Sequence, residues 1–308
     1  MLNKFLKLIN YYTLLLFLAP IQNDLKAKQN RERGHMNKKV KSTIIWIFAF
    51  IFTVAIAVYQ RMTGPTYPVR GKVELAGEKL SYRLVRSSES GEPADVVLKE
   101  AAEKATATIR FKRLNTNDAW TEKNFTIRNE DLVVELPSQP PAGKLEYFVS
   151  VTHGGKTIEL TEEPVVIRFK GAVPDFILFP HILLMFLAML FSTRTGIEAL
   201  IKGEKTYSYT KITLVLFFLG GMILGPIVQK YAFDAFWTGW PFGQDLTDNK
   251  TLFAFIAWVI AYVRLRKNKS NRGWAIAASV ILLLVYLIPH SMFGSELDYG
   301  TGEIGTSD

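Results

Sequence analysis

Five apolar stretches dominate this chain, at Thr43–Tyr59, Phe176–Phe191, Ile212–Val228, Leu252–Val263 with its flanks, and Trp274–Ile288. A helix needs about 20 largely apolar residues to cross a hydrocarbon core, and each stretch reaches that length or comes near it. Backbone amides cannot stay unpaired in lipid, so such stretches can only be helices. The loops between them alternate in charge. Lys38, Lys39 and Lys41 precede the first stretch; Arg194, Lys202, Lys205 and Lys211 lie between the second and third; Arg264, Arg266, Lys267, Lys269 and Arg272 lie between the fourth and fifth. The other connections are acidic, with Asp234, Asp245 and Asp248 in one and Glu296, Asp298 and Glu303 in the tail. Basic loops stay on the cytoplasmic side, so the pattern predicts a multi-pass protein of the bacterial inner membrane. The N-terminal flank of its first span is cytoplasmic and its C-terminus is outside.

This layout explains a composition that would otherwise mislead. The formal net charge of +9 would suggest a nucleic-acid partner if it lay on a soluble domain. Here the basic residues flank apolar runs, so the expected partner is the lipid bilayer and no nucleic acid is expected. Cysteine is absent, which excludes disulfides, thiolate metal sites and covalent haem attachment, and histidine occurs only at positions 35, 153, 181 and 290.

Residues 65–172 are polar and strand-like, and are expected to form an extracytoplasmic β-sandwich. Ala107, Ile109 and Phe111 alternate with Thr108, Arg110 and Lys112, as in a half-buried strand. Leu145–Val151 and Lys156–Leu160 flank Gly154-Gly155, a two-residue hairpin turn. Shorter strands are predicted at Phe125–Ile127, Leu132–Leu136 and Val165–Phe169. Leu136-Pro137, Gly143 and Tyr147 resemble the tyrosine corner of fibronectin type III and other immunoglobulin-like domains. The fold class expected is therefore an α-helical membrane protein of about five spans carrying an all-β, immunoglobulin-like domain. Its segments are the first transmembrane helix within 36–64, the β-domain at 65–172, a four-helix membrane domain at 173–293, and a flexible acidic tail at 294–308. Residues 1–35 read as a leader, a further span, or translated upstream sequence. Arg31–Gly34 is what a purine-rich ribosome-binding sequence spells, which makes Met36 the expected initiator.

Candidate chemistry lies at the outer ends of the spans. His181 follows Pro180 and His290 follows Pro289, and the opposite directions of their spans bring both to a similar depth. Each imidazole either bonds a helix-end carbonyl or serves as a metal ligand. Between them lies an outer loop carrying Phe233, Phe236, Trp237, Trp240 and Phe242, which is either an interfacial aromatic belt or the lining of a ligand site. Asp245 and Asp248 close the loop, and Glu296 lies near enough in sequence to orient an imidazole. Gly221 and Gly225 suit close helix packing, and Pro226 should bend or end its helix. No Walker loop, dinucleotide fingerprint, nucleophile elbow or zinc-protease signature occurs.

The stretch Phe236-Trp237, Trp240, Pro241, Asp245, followed by a span and flanked by Pro180-His181 and His290-Ser291, resembles the haem-handling membrane proteins of cytochrome c biogenesis. The likeness covers roughly the last 130 residues. The tryptophans here are spaced more loosely, and the β-domain is not part of that pattern. The resemblance implies haem b as cofactor, with His181 and His290 as the metal ligands, Trp237 and Trp240 over the ring, and Asp245, Asp248 and Glu296 tuning it. The alternative is a non-catalytic scaffold whose β-domain docks an envelope or periplasmic protein. Neither reading makes the protein an enzyme.

Overall fold

In a computed structural model the protein is described over residues 37–75, 77–289 and 295–306. The readings on residues 1–36 and on His290 lie outside them. The apolar run after the first basic cluster forms helix α1, Asn37–Thr63. Eleven strands follow: β1 (Val69–Leu75), β2 (Glu78–Leu84), β3 (Ser87–Glu89), β4 (Ala94–Leu98), β5 (Thr106–Arg113), β6 (Thr121–Asn124), β7 (Thr126–Arg128), β8 (Asp131–Leu136), β9 (Lys144–His153), β10 (Lys156–Glu159) and β11 (Val165–Lys170). The chain then becomes helical: α2 (Asp175–Leu200), α3 (Thr206–Phe217), a π-helical segment (Phe218–Leu224), α4 (Gly225–Phe233), α5 (Leu246–Lys267) and α6 (Gly273–Leu287). It ends in strands β12 (Ser295–Leu297) and β13 (Ile304–Thr306).

Each predicted apolar stretch falls on helix. Among the described residues, three helices are long and apolar enough to cross a membrane: Asn37–Thr63, Asp175–Leu200 and the continuous Thr206–Phe233. The structure is thus that of a membrane-helix protein with a β-domain. In that domain one sheet runs β3-β11-β9-β5-β6 with β10 added to β9, and a second runs β4-β8-β7. Their inward residues, among them Val96, Leu98, Val134 and Leu136 from one sheet and Ile109, Val149, Ile167 and Phe169 from the other, form one core. The predicted alternation in β5 is observed, with Ala107, Ile109 and Phe111 buried. The hairpin at Gly154-Gly155 is also observed: both glycines have positive φ, which only they tolerate cheaply, and His153 pairs with Lys156. Tyr147 departs from the corner expected of it. Its hydroxyl donates to the carbonyl of Val85, 62 positions upstream and 2.7 Å away, rather than to nearby backbone. Burial pushes that hydroxyl far above its ordinary pKa, so it stays a donor.

Two expectations need correction. The loop charge Arg194 is not in a loop, because α2 runs on to Leu200 and buries Arg194 beside Glu198 at 2.6 Å. The i,i+4 pairing with Glu198 offsets the cost of burying that charge and lets the helix run on. The acidic tail is not a free end either, since β12 and β13 pair with each other and dock on the β-domain. Leu297 N donates to the Ala142 carbonyl at 3.1 Å, and Tyr299 bonds Lys144 and Gln139. Glu296 pairs with the Lys144 ammonium at 2.5 Å, with both side chains nearly buried. Burial and the nearby Arg168 lower the Lys144 pKa, and Glu296 offsets part of that shift. A tail of alternating small and acidic residues looks solvated until a buried lysine is placed opposite it.

Removing one member of a buried pair strands the other, which typically costs about 3–5 kcal/mol. Glu296→Ala should therefore release the C-terminal hairpin, making it sensitive to brief proteolysis. Lys144→Met combined with Glu296→Leu should recover much of the loss, because neither leaves a buried charge.

Candidate functional site

Small residues let the helices approach closely, both near His181 and deeper in the bundle. A side chain at Gly220 would press on Leu184 and Met185 of α2, and one at Gly196 would overlap Ser279 of α6. Ser192, Ser279, Thr195 and Thr213 form hydrogen bonds inside the bundle, the usual means of joining helices in an apolar medium. Phe217, Trp258, Ala188, Ala254 and Leu282 form the apolar core around them.

The π segment follows from Pro226. Proline has no N–H, so α-helical hydrogen bonding cannot run unbroken through it. The chain widens one turn earlier, where Gly225 N donates to the Gly220 carbonyl, five residues back. π segments of this kind often occur at functional positions. Here the same Gly220 oxygen lies 3.0 Å from Nδ1 of His181. A carbonyl can only accept, so Nδ1 carries the proton, and in the neutral ring Nε2 then keeps its lone pair. The two sequence-level options for this histidine are therefore compatible, because one nitrogen bonds backbone and the other is left for a ligand.

His181 lines a cavity of about 420 Å³ bounded by the end of the β-domain, the first turns of α2, the π segment with α4, and the start of α5. Met185, Leu178, Val228 and Phe233 give it apolar walls, and Gln229, Thr247, Thr251 and Ser295 supply polar groups. The β-domain closes onto it: Gly171 N donates to the Ala232 carbonyl at 2.8 Å, and the Arg168 guanidinium lies 5.7 Å from the Phe233 ring centre.

Of the residues singled out from sequence, His181, Trp237, Asp245 and Asp248 share this cavity wall. Both carboxylates are committed to structure. Asp245 caps α5 by accepting from the amides of Thr247 and Asp248, and also accepts from the Ser295 hydroxyl. One Asp248 oxygen accepts from the amides of Thr238 and Gly239, the Thr238 hydroxyl and the Gln229 side chain, at 2.7–3.3 Å. Trp240 is outside the cavity. It is 68% exposed, and its carbonyl accepts from the Trp237 indole. Glu296 faces Lys144 and Asn115 of the β-domain. His290 is not among the described residues, but the ammonium of Lys250 donates to the carbonyls of Ile288 and Pro289 and so holds the end of α6 just before it. Sequence reading missed Lys250, Gln229 and Ser295. Lys250 was detectable as an ammonium one turn into an apolar helix, a place where it must find carbonyls.

No protein-family model, curated protein or solved structure matches this chain. Its function must be argued from this geometry.

Charge-assisted hydrogen bonds contribute about 1.5–3 kcal/mol each. Asp248→Ala should therefore loosen the aromatic loop, with hydrogen exchange at the Thr238 and Gly239 amides faster by about tenfold or more. Asp248→Asn, which keeps one acceptor oxygen, should lie between.

Proposed function

We propose that this protein holds haem b, or a closely related imidazole-ligated cofactor, at the outer face of the membrane, with His181 as a ligand. One observation carries the reading: His181 lines a cavity with apolar and aromatic walls and has its Nδ1 proton committed to Gly220, which in the neutral ring leaves Nε2 for a ligand. Orientation by a backbone carbonyl is how metal-bound imidazoles are commonly held. Among the described residues no cluster of three or more His, Cys, Asp or Glu could hold a bare ion. A porphyrin brings its own four nitrogens and needs only one or two imidazoles from the chain, so a haem is a better fit to this wall than a free metal. Bound haem would supply one-electron chemistry. The chain supplies the ligand nitrogen, the apolar wall and a β-domain that covers the site. His290, which follows Pro289 in sequence, is the expected second ligand.

Around this site we read five spans rather than three. α5 reaches bilayer length once its polar first turn and its basic last turn are placed in the two interfaces, and α6 is a short apolar fifth helix of 15 residues. The loop charges then put the β-domain outside, as an immunoglobulin-like module with two sheets around one core. A second reading, a scaffold that docks an envelope protein, is favoured by one feature of that module. The Arg110 guanidinium lies over the adjacent rings of Trp120 and Phe148, at 5.4 and 4.4 Å from their centres, on a partly exposed sheet face. Arginine and tryptophan are the residues most enriched at binding hot spots.

The protein purified in mild detergent and supplied with haem should show a Soret band and a reduced-minus-oxidised difference spectrum. His181→Ala should abolish or shift both. Titration that yields no saturable Soret change, or a spectrum indifferent to His181→Ala in a folded variant, would leave the docking role as the better account.

A further inference from the structure

The outer loop between α4 and α5 holds three large rings away from the protein: Phe236 is 58% exposed, Trp240 68% and Phe242 83%. The loop carrying them is tightly built. Asp248 fixes the backbone at Thr238 and Gly239, Asn249 accepts from the Trp240 amide at 2.6 Å, and the turn closes through Phe242 N and Gly243 N on the Gly239 carbonyl. A loop fixed by buried polar groups that still directs its aromatic rings outward has an external apolar surface to meet.

We propose that this loop is a fixed wedge that lies in the headgroup and upper acyl region of the leaflet on the β-domain side. Three observations favour lipid over a protein as occupant. The loop joins the ends of two apolar helices, so its level is set by them. The first turns of α2, which line the same cavity as this loop, also expose large rings, Phe176 (77%) and Phe179 (65%). The Lys230 ammonium lies 5.7 Å from the Phe236 ring centre and pairs with Asp234, an ion pair beside exposed aromatic rings that suits the polar headgroup region. The cavity wall residue Trp237 belongs to the same loop and donates to Trp240. The wedge therefore places the cavity at the depth of the bilayer interface, whatever fills it.

The absence of cysteine makes the test clean, because one introduced thiol is the only label site. Phe242→Cys and, separately, Trp240→Cys are spin-labelled and reconstituted as full-length protein in phosphatidylcholine–phosphatidylglycerol vesicles. Collision with oxygen, which concentrates in the bilayer, is compared with collision with a water-soluble nickel chelate. Ile127→Cys on the exposed edge of the β-domain and Phe179→Cys on α2 serve as water and lipid references. The wedge is supported if positions 240 and 242 shift toward oxygen and away from nickel, as position 179 does. It is overturned if they match position 127, which places the loop in water. Shielding from both reagents also overturns it, because the rings would then be covered by protein, either a partner or a second copy.

Discussion

The start of α5 is the constraint on which the half of this molecule around the β-domain and the cavity depends. Four residues within it each hold a different piece of structure. Asp245 caps the helix and binds Ser295 at the start of the C-terminal hairpin; Asp248 gathers the aromatic loop and Gln229 of α4; Asn249 holds Trp240; and Lys250 holds the carbonyls of Ile288 and Pro289 just after α6. Buried polar groups are costly unless paired, so these bonds oblige the loop, the hairpin and α6 to meet at one place. Hydrophobic packing alone would let the helices slide, since inside a membrane lipid is as apolar as a leucine side chain.

A second constraint acts at the cavity. Pro226 interrupts the third apolar run, the π segment absorbs the interruption, and the resulting carbonyl at Gly220 meets His181 from a different helix. Helix irregularity, helix approach through glycine and imidazole orientation are therefore one arrangement. A straight α-helix in place of residues 218–224 would present its carbonyls in a different register and leave His181 to find another partner. The proposed cofactor reading depends on this arrangement more than on the aromatic loop, which directs most of its rings outward.

The β-domain is fastened to the helices rather than tethered. Strand β11 runs directly toward α2, its exit at Gly171 bonds the end of α4, and the C-terminal hairpin returns to pair with Lys144. The domain's lower edge is thus a wall of the cavity, and a partner docking on its sheet would act on a body mechanically continuous with the site.

The amino-acid sequence by itself determined the apolar runs, the alternating strand at 106–113 and the glycine hairpin, because these are local: hydropathy and φ preferences act within a few residues. It also pointed to His181 and Trp237. Only the tertiary structure decided that Asp245 and Asp248 are fasteners, that Glu296 answers a buried lysine rather than an imidazole, that Arg194 is paired inside a helix, and that the tail is a docked hairpin. Each of those depends on a partner well outside its own turn or strand, or on how far a helix continues. A side chain's role in such cases is set by which group burial brings opposite it, and a linear pattern does not encode that.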